Sequence, residues 1–292
     1  MEFLQQMING LSLGFVYALI AIGYTMVYGI IGLINFAHGD VFMVGGFFGF
    51  FAATNLHLPF IPTLLIAMGG AALTGVVVEK IAYKPLRNSP KLSILITAIA
   101  MSVLLENLVR LKMTTDPQTY PETLLPAHVI SFAGLSIDNR QLIIIGMSIL
   151  LVVILQFIVF KTKTGKAMRA TSFDKDAAAL MGINVDSVIS ITFAIGSALA
   201  GAAGVLFGIL YSSIDPYMGI MPGLKAFVAA VLGGIGIIPG ALWGGLIMGL
   251  VETFSKVYIS SSYSDAIAFS ILIIILIVKP SGLLGKKTRE KV

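Results

Sequence analysis

Long apolar stretches alternate with short polar breaks along this chain, and the breaks define its elements. From Phe3 to Gly39 no residue carries a formal charge apart from a titratable His38, a run too long for one straight span of about 20 residues. The pattern predicts a first span ending near residues 29–32, a break at GLINFAHGD (32–40) and a shortened, glycine-rich second span at 41–53. Further spans fall at 63–78, 92–108, 141–160, 188–211, 241–256 and 266–278. A short apolar helix at 223–232 leads into a second break, GGIGIIPG (233–240). Residues 112–140 form the largest hydrophilic segment, with prolines at 117, 121 and 126 and alternating runs such as HVISF that fit a small hairpin.

One polar interruption has the makings of a helix. In 161–186, KTKTGKAMRATSFDKDAAALMGINVD, Ser172 is placed to N-cap, Asp174 and Asp176 lie near the positive end of the helix dipole, and Gly182 is placed to end the helix. Phe173, Ala177, Leu180 and Met181 share one apolar face. Such a helix, about 15 Å long at about 1.5 Å per residue, either offers that face to a soluble partner or rests it on the bilayer surface.

Composition agrees with a chain dissolved mostly in lipid. Of its 292 residues 57% are hydrophobic and 11% charged, and the mean hydropathy is +0.97; a soluble domain carries about 25% charged residues. Helices are expected, because strands crossing a membrane need only about 10 residues each. The fold class is thus all-α and polytopic, one transmembrane domain over 1–292 with about eight long spans and one short interrupted helix. No basic region or small-residue cleavage site precedes the first span, so no signal peptide is expected. Lys and Arg number four in 80–91, five in 161–175 and five in 279–291, fourteen of the nineteen. The face they share is expected to be cytoplasmic. That places the C-terminus inside and the N-terminus outside, which requires an odd number of crossings and makes 223–232 a ninth, interrupted pass. The pI of 9.3 reflects this asymmetry rather than nucleic-acid binding.

The chemistry-bearing motifs are mostly negative. GGIGIIPG carries Pro239 where a dinucleotide fingerprint needs its last glycine. In GLLGKKT, Pro280 stands where a phosphate loop needs its first. The chain has no Cys, and His38, His57 and His128 have no ligand spacing. No cofactor, metal or catalytic set is expected, and the chain reads as a non-enzyme. The two breaks carry more. Non-helical backbone at membrane depth is tolerated when buried in protein or lining a water-filled cavity, and in transporters it often marks the path; the alternative is a kink where spans cross. Asn35, His38 and Asp40 in the first break, Gly233, Gly234 and Gly236 in the second, and Glu252 are the candidate path residues. Glu252 also has Lys256 one turn on, and Glu106 has Arg110, a spacing that suits structural pairs.

The runs GYTMVYGIIGLINFAHGDVFMVGG and KAFVAAVLGGIGIIPGALWGG, with the loop RATSFDKDAAALMGINVD, closely resemble the H-type permease of branched-chain amino acid ABC importers. The likeness covers essentially the whole chain. It implies a permease of a prokaryotic inner membrane, paired with a second related permease, two cytoplasmic ATPase subunits and an extracytoplasmic binding protein. It also implies that residues 174–182 are the helix coupling the permease to an ATPase, with Phe173, Asp174, Asp176, Ala177, Ala178, Leu180, Met181 and Gly182 at the contact. The loop has Asp176-Ala177-Ala178 where many ABC permeases have Glu-Ala-Ala. Sister permeases of similar sequence serve urea and short-chain amides. A reading from another class, an ion-coupled secondary transporter, would place ionisable residues mid-span, whereas here they gather at span ends.

Overall fold

The computed structural model describes residues 2–87, 89–132 and 135–285, and the side chains of 130–135 are outside that description. Of the basic tail, Lys286, Lys287, Arg289 and Lys291 lie outside the described residues. Eleven α-helices are described: α1 (Glu2–Ile31), α2 (His38–Thr54), α3 (Phe60–Val78), α4 (Lys91–Lys112), α5 (Asn139–Lys161), α6 (Lys163–Phe173), α7 (Lys175–Leu180), α8 (Val185–Tyr211), α9 (Ile220–Gly233), α10 (Ile238–Tyr258) and α11 (Ser264–Val278). Among the described residues seven helical segments are long and apolar enough to cross a membrane, the last of them running from Ser261 to Val278. To them the 17-residue α2 and the 14-residue α9 add two shorter apolar helices. The chain is an all-α polytopic membrane protein.

α1 and α8 form the centre of the bundle and are largely buried, while α4 and α11 are peripheral and expose most of their surface. Neighbouring helices meet backbone to backbone. A Cβ on Gly249 of α10 would sit 2.2 Å from the Gly14 nitrogen of α1, and one on Gly45 of α2 would sit 2.3 Å from the Gly201 Cα of α8. Association in lipid relies on such close packing because lipid tails are as apolar as leucine. The small-residue run GSALAGAAG in α8 serves the same purpose against α2 and α3.

The breaks fall where the apolar pattern placed them. α1 ends at Ile31, and Gly32 takes a positive φ of +74°. The chain then turns back toward the bundle, so that the His38 ring lies edge-on to Tyr24 with centroids 4.7 Å apart. The short ninth helix begins earlier than expected, at Ile220 rather than 223, with Pro222 in its first turn, where a missing N–H costs nothing. The expected hairpin is present as β2 (Val129–Phe132) paired antiparallel with β3 (Leu135–Asp138). A second pairing was not legible locally: β1 (Gln118–Thr119) joins β4 (Ser213–Ile214) across nearly a hundred residues.

The loops grouped by charge do share a face. Lys84 pairs with Asp186 at 2.9 Å, and the Lys175 ammonium donates to the Ile31 carbonyl at the end of α1. The Leu283 N–H bonds the Leu232 carbonyl at the same end, so the chain after α11 returns there. At the opposite end, Gln5 of α1 accepts from the Ser136 N–H of the hairpin, and Gln141 of α5 donates to Asn9. The start of α1 and the end of α11 therefore lie at opposite ends, and the chain between them needs the short α9 as a pass.

Two local expectations are corrected. Ser172 is not an N-cap: it lies inside α6, its hydroxyl donating to the Arg169 carbonyl, and the capping carboxylate is Asp174, which accepts from the Asp176 and Ala177 N–H groups at 2.9 Å each. The cations at 163, 166 and 169 form a helix of their own, and α7 has only six residues. Arg110 does not pair with Glu106. It bonds Asn107 at 3.4 Å and lies over the Tyr217 ring, 5.4 Å from its centroid.

Single cysteines at the exposed positions Lys166 and Glu122 of this Cys-free chain test the two faces. With an impermeant maleimide on intact cells, Glu122→Cys is expected to label and Lys166→Cys to label only after permeabilisation. Labelling of both from outside would overturn the topology.

Candidate functional site

The candidate residues separate into three places. The first lies at the broken connection between α1 and α2. Asn35, His38 and Asp40 are each buried to 2% exposure or less. Asn35 accepts from the Tyr83 hydroxyl at 3.0 Å, leaving its amide nitrogen without a partner. His38 packs so tightly on α1 that a Cβ on Gly23 would fall 2.3 Å from Nε2. Asp40 accepts from the Ser102 hydroxyl of α4 through Oδ2, and its Oδ1 has no partner.

Tyr83 reaches Asn35 from a π-helical turn (Glu79–Tyr83) that continues α3. Glu79, fully buried, accepts from Arg87 and from the Ser190 hydroxyl at 2.8 Å. Arg87 also pairs with Asp186 at the start of α8, four residues beyond Gly182. Polar contacts thus join Asp186, Arg87 and Glu79, and the backbone of the π turn carries Glu79 to Tyr83, which bonds Asn35 in the first break. Sequence reasoning missed this set. Its available signal was Glu79, a carboxylate directly at the end of an apolar span and in need of a cation.

The second place joins the two breaks. Gly236, at φ +91°, brings its Cα within 3.5 Å of a Cβ built on Gly29. An open depression of about 790 Å³ lies between the end of α1, the 235–237 turn and residues 171–176. Gly233 and Gly234 point elsewhere: Gly233 abuts the Gly240 backbone, and Gly234, at φ +106°, packs on Ser281 and Gly285. These two shape the turn into α10 and do not border the depression.

The third place is a buried ion network around Glu252. Its Oε1 accepts from Lys225 at 2.8 Å and Lys256 at 2.6 Å, and its Oε2 from the Tyr17 hydroxyl at 2.8 Å. Lys225 also reaches Asp265 at 2.7 Å. The network ties α1, α9, α10 and α11 together, and the Lys256 contact anticipated from the i+4 spacing is present. Lys225, Tyr17 and Asp265 were not singled out in the sequence. The signal for Lys225 was a lone cation in an apolar helix, which requires a partner in lipid. Asp40, Lys225 and Glu252 are buried among helices, each within two turns of a helix end.

The short helix α7 stands out from the bundle. Phe173, Leu180 and Met181 are 95%, 89% and 83% exposed, Ala177 is exposed, and only Ala178 is buried. Gly182 takes φ +81°, the left-handed conformation that ends a helix.

The family model described as branched-chain amino acid transport system / permease component matches residues 6–276. The chain belongs to this permease family. It is 46% identical to the high-affinity branched-chain amino acid transport system permease protein LivH of Escherichia coli, over 99% of this chain and 98% of that one. It is 43% identical to BraD of Pseudomonas aeruginosa, a protein of the same description, over 100% and 98%. Among solved structures, PsaBC from Streptococcus pneumoniae, in complex with a Fab, aligns with a TM-score of 0.53 at 16% identity, over 96% of this chain and 93% of that one. A metal-chelate type ABC transporter in an inward-facing conformation also aligns at 0.53 and 16%. Those two likenesses are of fold.

The ion network yields a stability prediction. Glu252→Leu leaves Lys225 with the half-exposed Asp265 as its remaining counter-charge, and breaking a buried pair costs about 3–5 kcal/mol. Glu252→Leu is expected to lower the melting temperature of the detergent-purified protein markedly. Adding Lys225→Leu should recover much of the loss. A double variant melting below the single one would contradict the pairing.

Proposed function

We propose that the chain is the membrane-spanning permease subunit of an ATP-driven importer of branched-chain amino acids, one permease domain from end to end. Near-full-length identity to permeases described for that substrate class carries the reading, and it favours this class over urea or short-chain amides. Nucleotide chemistry belongs to separate cytoplasmic ATPase subunits, and an extracytoplasmic binding protein delivers the substrate. A second, related permease completes the assembly as a heterodimer. The basic face is cytoplasmic, so the C-terminus is inside.

In this reading α7 is the helix that engages an ATPase. Its support is the exposure of Leu180 and Met181 at the end of α7, with Phe173 exposed at the end of α6, a patch suited to a helix-in-groove contact with apolar anchors. The contacts of Asp186 and Arg87 with Glu79, and the π turn that leads from Glu79 to Tyr83 and its bond to Asn35, give movement at that helix a physical connection to the first break. The depression between Gly29, Gly236 and 171–176 lies on the cytoplasmic side of this path.

Reconstitution with the partner subunits in liposomes tests the function, with ATP-dependent leucine uptake expected and uptake driven by a proton or sodium gradient alone counting against it. For the contact, a tryptophan at the small, exposed position 177 should prevent close seating, since overpacking costs about 1–3 kcal/mol. Ala177→Trp is expected to abolish uptake and reduce ATPase co-purification while the amount of permease in the membrane stays constant. Equal recovery and equal uptake would sink the coupling role of α7; a helix resting on lipid would tolerate the tryptophan.

A further inference from the structure

Three carboxylates are buried among the described residues, Asp40, Glu79 and Glu252, and they differ in state: Glu79 is paired with Arg87. Glu252 has both oxygens occupied, by two ammonium groups and a phenol. Asp40 is 2% exposed, yet its single side-chain partner is the Ser102 hydroxyl, and Oδ1 has none. None of the ion pairs among the described residues includes Asp40. Its place in the first turn of α2 sets it near a positive dipole end, but that leaves Oδ1 unfilled. A buried charge without a counter-charge is costly, and an ionisable residue at membrane depth is expected to serve function.

Asp40 lines a cleft of about 160 Å³ between α1, α2, α4 and α9, open on the side where Ile99, Ile220 and Leu224 are exposed. A volume of about 150 Å³ is enough for a small organic solute such as benzene. Phe36, Ile99, Ile220 and Leu224 are its apolar lining, beside Gly219 and Gly223. Those glycines let α9 lie against α2: a Cβ on Gly219 would sit 2.6 Å from the Gly39 carbonyl oxygen and 2.9 Å from Asp40 Oδ1.

We infer that this cleft is a transient substrate subsite for an aliphatic amino acid in the permease itself. Asp40 and Ser102 take the α-ammonium group, and the apolar residues take the side chain. An amino acid with a branched aliphatic tail matches both features, and a bare cation or an uncharged amide matches fewer. The assignment rests on the permease reading above and adds to it a selective step beyond the binding protein.

The test uses the complete complex in liposomes with its binding protein, and radiolabelled leucine as probe. Asp40→Asn removes a charge-assisted hydrogen bond and is expected to slow leucine uptake about tenfold or more. Co-purification of the ATPase subunits and ATP hydrolysis stimulated by loaded binding protein should persist. Ile99→Trp, which narrows the cleft and leaves the Asp40 carboxylate in place, should slow uptake similarly. Occupancy is read directly with Leu224→Cys: leucine present during turnover should slow its modification by a small maleimide, and should fail to do so when Asp40→Asn is added. If Asp40→Asn transports at the wild-type rate, or protection at Leu224→Cys is unchanged by it, the subsite is wrong. If Asp40→Asn instead lowers the amount of permease, Ile99→Trp decides, and wild-type uptake by that variant overturns the assignment. Failure of wild type to take up leucine at all would strike the proposed function and not the subsite alone.

Discussion

Everything in this fold depends on how closely its helices can approach. In lipid the gain from burying apolar side chains between helices is small, so contact must come from packing and from polar groups that cannot be left alone. α1 meets α10 at Gly14 and Gly249, and α2 meets α8 at Gly45 and Gly201, in each case with no room for a side chain. The approach of α2 to α9 at Gly39, Gly219 and Gly223 follows the same rule. Once these seams are set, few positions remain for polar groups inside, and each of them must find a partner or a purpose. Glu252 found partners on three helices. Asp40 found only one.

Legibility in the sequence followed the distance over which each feature is determined. The spans, both breaks, the β2–β3 hairpin and the stop at Gly182 are local, fixed by hydropathy and by residues that permit or forbid a backbone conformation. The charge asymmetry of the loops gathered the right segments on one face, because Lys84, Asp186 and Lys175 meet there. Features requiring distant segments to meet were not legible: the pairing of 118–119 with 213–214, the convergence of Lys225 and Asp265 on one another, and the path from Asp186 to Asn35. Capping was a closer miss. Ser172 and Asp174 are both good caps, and the choice fell to Asp174 because the preceding turns continue as α6 through Phe173.

The candidate sites show the same division. The glycines of the second break were chosen as a group, and the structure divides them: Gly236 faces the first break, while Gly233 and Gly234 serve the turn and the returning chain after α11. The three polar residues of the first break stay together, because they lie within one turn and a half of the same backbone.

The π turn at Glu79–Tyr83 has an angular consequence. The Lys84 N–H reaches back five residues to the Glu79 carbonyl at 2.8 Å, where a regular helix would reach four. One residue adds about 100° of rotation in an α-helix, so the surplus residue shifts the phase of all that follows. The stretch before it shows Leu73 and Val77 to the outside. Within it Tyr83 faces inward to Asn35, and just beyond it Arg87 reaches two carboxylates, Glu79 on its own segment and Asp186 on α8. A deletion of one residue within 79–83 would keep the composition and length of the span almost unchanged and yet point its polar end at lipid.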